Sequence, residues 1–127
     1  QAVDLLTDQP EAVAVHAAAA GDWSRAARAW LLAGDEALRR FAAADAVALV
    51  TRAIDAASRV SNIELTARAH VLRGRAREAA SDYRLALADL EIAVELSTDV
   101  PPGVADGVFV LIMGGGRQLG RGPGGEG

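Results

Sequence analysis

The chain has 127 residues and a net charge of −4, enough for one domain and without the basic excess that draws a protein onto phosphate backbones. It contains no cysteine, which excludes disulfides, cysteine-ligated zinc and thiol nucleophiles together and fits a reducing, cytoplasmic setting. Its composition is 51% hydrophobic but only 4% aromatic, and 29 residues are alanine, the strongest helix former, so an all-α protein with close packing of small side chains is expected. All 13 basic residues are arginine, a coding bias that suggests a GC-rich bacterial genome.

The elements read in chain order as follows. Gln1 is not an initiator methionine and no signal-peptide pattern opens the chain, so the sequence reads as a fragment of a larger protein. A first helix is predicted over residues 9–20, capped by Asp8, with Pro10 in its first turn and Gly21 at its end. Asp22 caps a second helix, which carries Trp23, Ala26, Ala27, Trp30 and Ala33 at three- and four-residue spacings and runs through Gly34 to about Ala43. A third spans residues 45–58, with Ala46, Leu49, Val50, Ala53 and Ile54 on one stripe. Ser61 and Glu64 read as a capping box for a fourth helix ending near Ala80. Ser81 or Asp82 opens a fifth, which ends near Thr98 before the stop signal of Pro101, Pro102 and Gly103. Ten of the 13 glycines fall in residues 103–127, a tail expected to be disordered or non-native, with at most a short strand at 108–112. Its longest apolar run, residues 108–113, is far short of the roughly 20 residues that span a bilayer.

A shift of 40 residues aligns 27–58 with 67–98 without a gap. Ala27, Arg28 and Ala29 meet Ala67, Arg68 and Ala69; Leu32 meets Leu72; Gly34 meets Gly74; Ala46, Ala48 and Ala53 meet Ala86, Ala88 and Ala93. An internal repeat of this kind outranks local propensity as a sign of fold. The first copy reads Trp30, Ala33, Gly34, Ala37, Ala46, Val50, Ala53, and the second His70, Arg73, Gly74, Arg77, Ala86, Leu90, Ala93.

These positions resemble the tetratricopeptide repeat, a helix–turn–helix unit of about 34 residues whose small residues sit where antiparallel helices approach. Arg73 and Arg77 depart from the Leu and Tyr of that pattern, Val50 and Leu90 from an aromatic, and Ser58 from a closing Pro. The six residues by which the spacing exceeds that unit predict a longer loop near 59–64. The stretch from His16 through Gly21, Asp22, Trp23, Ala33, Gly34 and Phe41 to Ile54 is similar to the helical repeats behind the nucleotide-binding module of large bacterial ATPase-type transcriptional activators and multidomain adenylate or guanylate cyclases. The resemblance implies a short tetratricopeptide-like solenoid of antiparallel hairpins over residues 1–102, with copies at about 27–60 and 67–100. It also implies a sensing or scaffolding role in signalling or transcription regulation, with the parent's chemistry elsewhere.

Catalytic signals are sparse. His16 and His70 lack partners at metal-binding spacing, and His70 takes the tryptophan place of the repeat, which points to packing between helices. No serine lies in a nucleophile elbow, and Ser61 and Ser81 read as helix caps. Asp82, Asp89, Glu91 and Glu95 read as a solvated outer face. The glycines from Gly122 onward imitate a dinucleotide fingerprint but precede no helix that would supply amide donors. Trp23 and Trp30 are expected as core anchors.

The remaining candidates are Arg28, Leu31, Asp35 and Arg39 on one first helix and Arg68, Val71 and Arg75 on the next, forming a concave protein-binding face. The sequence thus predicts a non-catalytic scaffold for a peptide, a protein or a neighbouring domain of its parent. It predicts no catalytic residue, cofactor or metal, no direct nucleic-acid contact and no membrane, and self-association through exposed repeat ends. The alternative is an accessory part of a nucleotide cyclase or ATPase that contributes directly to turnover; a DNA-binding helix–turn–helix fits the acidic balance less well.

Overall fold

The structure is a computed structural model in which residues 9–98 are described. Over these residues the chain forms five α-helices and no strand, so the all-α expectation holds. They are α1 (Pro10–Ala19), α2 (Trp23–Arg39), α3 (Ala43–Arg59), α4 (Ile63–Ala79) and α5 (Tyr83–Ser97). Each helix packs on its sequence neighbours, and α2 also reaches α4. None of the described helices is long and apolar enough to cross a membrane. The Asp8 cap and the predictions for residues 103–127 lie outside the described residues.

One turn is used four times. Gly21, Phe41, Ser61 and Ser81 have φ of 79°, 63°, 53° and 64°, left-handed values that reverse the chain at every twentieth residue. The next amide then donates to a carbonyl five residues back: Asp22 to Ala17 (2.8 Å), Ala42 to Ala37 (2.9 Å), Asn62 to Ala57 (3.1 Å) and Asp82 to Arg77 (2.8 Å). The amides of Gly21, Phe41, Ser61 and Ser81 themselves donate three residues back, over 2.9–3.2 Å. This pair of bonds is a Schellman motif, which satisfies the last carbonyls of a helix. The residue that completes it is also the N-cap of the following helix, so three residues suffice to join two helices.

The longer loop expected near 59–64 is therefore absent. α3 continues to Arg59 and α4 begins at Ile63, and the added length of the repeat is taken up by helices of 17 residues. The capping assignment also moves by one position. Asn62, not Ser61, caps α4, its side chain accepting from the Leu65 amide at 2.9 Å, because Ser61 is held in the left-handed turn. Ser81 is likewise the turn residue, and Asp82 is the N-cap of α5. Asp22 caps α2 as predicted, accepting from Arg25 at 3.3 Å.

Alanine sets the distance between helices. Ala26, Ala27, Ala37, Ala46, Ala53 and Ala93 are fully buried. Gly34 lies against α3 so closely that a Cβ there would collide with Cγ2 of Val50, with the Ala46 carbonyl 3.6 Å away. Gly74 meets the equivalent part of α5: a Cβ would stand 3.2 Å from Leu90 and 3.3 Å from the Ala86 carbonyl. The two glycines thus share one environment in the two hairpins. Trp30 is a buried anchor, whereas Trp23 is half-buried with the Arg59 guanidinium 4.3 Å above its ring centroid.

The packing is unequal at the two faces of the second hairpin. In α3, Val47 and Ile54 are half-buried against core clusters that include Ala76, Leu65 and Ala69 of α4. Their counterparts in α5, Leu87 and Val94, are 58% and 49% exposed.

Candidate functional site

α2 and α4 lie side by side and leave a groove between them. Leu31 and Asp35 are four residues apart on α2; Arg68, Val71, Leu72 and Arg75 recur at three- and four-residue steps on α4, so each set occupies one helix face. These six residues enclose about 270 Å³. The floor is apolar (Leu31, Val71, Leu72) and the rim is charged (Asp35, Arg68, Arg75). Five of the predicted face residues, Leu31, Asp35, Arg68, Val71 and Arg75, come together here. Arg28 is exposed on α2 outside the lining, and Arg39 is also outside it, paired with Asp35 at 2.8 Å. Arg68 pairs loosely with Glu64 at 3.7 Å. Both pairs are largely exposed, so they hold their side chains weakly and leave them open to exchange partners.

A side chain that was expected in solvent stands at the centre of a buried ion cluster. Asp89 is 1% exposed, in the α4–α5 interface. Its Oδ1 accepts from His70 Nδ1 (3.0 Å) and Arg73 Nη2 (2.8 Å), and its Oδ2 accepts from Arg73 Nε (3.0 Å) and Arg77 Nη1 (2.7 Å). Arg73 Nη1 donates onward to Thr51 Oγ1 at 3.1 Å, tying the cluster to α3. The solvated reading of Asp89 is therefore corrected. On α5 it turns toward α4 with Ala86 and Ala93, whereas Asp82, Glu91 and Glu95 remain exposed.

Burial alone would push the Asp89 carboxyl up. Hydrogen bonds from Arg73 and His70, with the charges of Arg73 and Arg77, outweigh this and hold it below its ordinary value of 3.8. An ionised carboxylate only accepts, so the proton of the shared bond sits on His70 Nδ1. Among the described residues no buried side-chain nitrogen or oxygen lacks a partner. His70 thus packs between helices, as its repeat position suggested, and does so through an ionic contact. Sequence reasoning singled out Arg73 and Arg77 only as departures from a pattern. The signal that unites them is that Asp89 aligns with Leu49.

Among the described residues no group of three His, Asp or Glu side chains is placed to hold a metal ion. His16 lines a shallow cavity with Val13, Ala17, Ala20, Asp22 and Arg25, remote in sequence from the ion cluster. Comparison of the chain with protein-family models, with curated proteins and with solved structures finds no match.

Proposed function

We propose that this chain is a non-catalytic, tetratricopeptide-like scaffold whose α2–α4 groove takes a short acidic and apolar segment of a protein or peptide partner, or of a neighbouring domain of a larger regulator. The observation that carries this reading is the groove itself, an apolar floor between α2 and α4 with two arginines of α4, Arg68 and Arg75, on its rim. A volume of about 270 Å³ suits one or two apolar side chains and is small for a nucleotide-sized cofactor. Arg68 and Arg75 suit carboxylates beside that anchor, since guanidinium groups pair with them bidentately. The repeated small-residue contacts at Gly34 and Gly74 support the solenoid reading. The absence of cysteine supports a cytoplasmic assignment.

The test uses fluorescent peptides of alternating leucine and glutamate, with leucine–lysine peptides of the same length as controls. Anisotropy titrations should show saturable binding of the acidic peptide only, weakened at least tenfold by Arg68→Glu combined with Arg75→Glu. Equal binding of both peptides, or an unchanged affinity in the variant, would remove the groove as the binding surface.

A second reading, self-association, is supported by the exposed Leu87 and Val94 on α5. A second copy can cover these residues as α4 covers their equivalents on α3. Light scattering should then detect oligomers that dissociate on dilution and that Leu87→Glu with Val94→Glu abolishes. Oligomers unaffected by these changes would locate the contact elsewhere.

A further inference from the structure

The 40-residue register that superposes Gly34 on Gly74 also superposes four core positions of unlike chemistry. Trp30, Ala33, Ala37 and Leu49 of the first hairpin correspond to His70, Arg73, Arg77 and Asp89 of the second. The first three of the apolar set are buried, and Leu49 packs on the core beside them. The corresponding set is the ion cluster. Around both, the small residues are unchanged: Ala27 and Ala67, Ala29 and Ala69, Ala46 and Ala86, Ala53 and Ala93. Each glycine also rests on the same part of its partner helix.

The shared small residues therefore do little to tell α3 from α5 as a partner for α2 or α4, whereas charge separates them sharply. Asp89 set against Trp30, Ala33 and Ala37 would be a buried carboxylate with no cation beside it and at most the Trp30 indole N–H as a donor. Arg73 and Arg77 set against Leu49 would be half-buried cations with no carboxylate to pair with. Either arrangement is strongly unfavourable, whereas a well-packed apolar set would hold the native hairpin as firmly as the ions do. What the ions add is a penalty on the wrong pair, which is how discrimination between similar partners is built. Tandem units of similar shape are prone to misassembly and to exchange of elements between chains.

We infer that His70, Arg73, Arg77 and Asp89 form a pairing code that commits α4 to α5 and bars exchange of hairpin helices within the chain or between copies. The bond from Arg73 to Thr51 extends the code to α3 and fixes how the second hairpin seats on the first.

The test replaces the code with the residues of the first hairpin, in the full chain: His70→Trp, Arg73→Ala, Arg77→Ala and Asp89→Leu together. Wild type and variant are unfolded in denaturant, refolded over a range of concentrations and measured by size-exclusion chromatography with light scattering. The variant should give several-fold more dimer, and this dimer should persist on dilution. It should revert to monomer only after unfolding and refolding at low concentration, unlike oligomers formed by surface contact. A wild-type distribution in the folded variant overturns the inference. Should that variant not fold, Asp89→Asn keeps the shape and removes the charge, and persistent dimers above the wild-type fraction are again expected. A wild-type distribution there overturns the inference as well. Loss of folding in both variants does the same, because it would make the cluster a requirement for folding rather than for pairing.

Discussion

Among the described residues, two glycines and one aspartate are tightly constrained by what packs against them. Gly34 faces Val50, a fully buried β-branched residue with little rotamer freedom, so in Gly34→Ala overpacking of about 1–3 kcal/mol should outweigh the gain of about 1 kcal/mol in helix propensity. Gly74 faces the more adaptable Leu90, and the gain of about 1 kcal/mol in helix propensity from alanine should leave Gly74→Ala near neutral. Denaturation midpoints of the two variants check the difference, and equal losses would contradict it. Asp89 makes stability depend on pH. Its folded carboxyl lies below the ordinary 3.8, so its contribution is complete above that value and is lost as pH falls through the lower, folded value. Wild-type stability should then drop at acid pH. Asp89→Asn should already be less stable at neutral pH by roughly 3–5 kcal/mol, from leaving Arg73 and Arg77 unpaired, and should lose less on acidification. Urea titrations at several pH values measure both effects; parallel pH profiles would refute the assignment. The glycines were legible in the sequence because their spacing repeats. Asp89 was not, since the acids of α5 were read together as one outer face. Only its alignment with Leu49, a core position, separates it from Glu91 and Glu95.

α2, α3 and α4 share a length of 17 residues because the same turn recurs at every twentieth residue, and that turn is not everywhere occupied by its best residue. Phe41 is 94% exposed at a φ of 63°, so its ring contributes little packing while its Cβ bears the strain of the left-handed region. Phe41→Gly should remove about 1–2 kcal/mol of strain against about 0.4–1 kcal/mol of added freedom in the unfolded chain, a modest net stabilisation. Asn62→Ala should cost about 1 kcal/mol through the lost cap on Leu65. Thermal melts of the two variants should move in opposite directions. Helix existence was legible from apolar periodicity and from alanine content. The turns were less so, because only Gly21 advertises a left-handed residue, whereas Phe41, Ser61 and Ser81 adopt the same conformation without any local sign. Serine is a favoured cap, and that preference drew the predicted start of α4 one residue early.

At the level of the chain, the all-α class followed from alanine content and apolar periodicity, and the convergence of Leu31, Asp35, Arg68, Val71 and Arg75 from the 40-residue register. Arg28 and Arg39 fell outside the groove because a shared helix face is longer than the gap between two helices. The ion cluster and the groove divide the polar residues of α4: His70, Arg73 and Arg77 face α5, while Arg68 and Arg75 face the groove toward α2 with Leu72; Val71 lines the groove and also packs on Ala93 of α5. Pairing and binding can therefore be perturbed separately. The most direct test of the binding role is a titration of the ¹⁵N-labelled chain with the acidic leucine–glutamate peptide, followed by amide chemical shifts. The largest changes should cluster at Leu31, Asp35, Arg68, Val71, Leu72 and Arg75, with little change at Thr51, Asp89 and their neighbours. Shifts centred on α5, or none at peptide concentrations that saturate the anisotropy signal, would contradict a groove-bound partner.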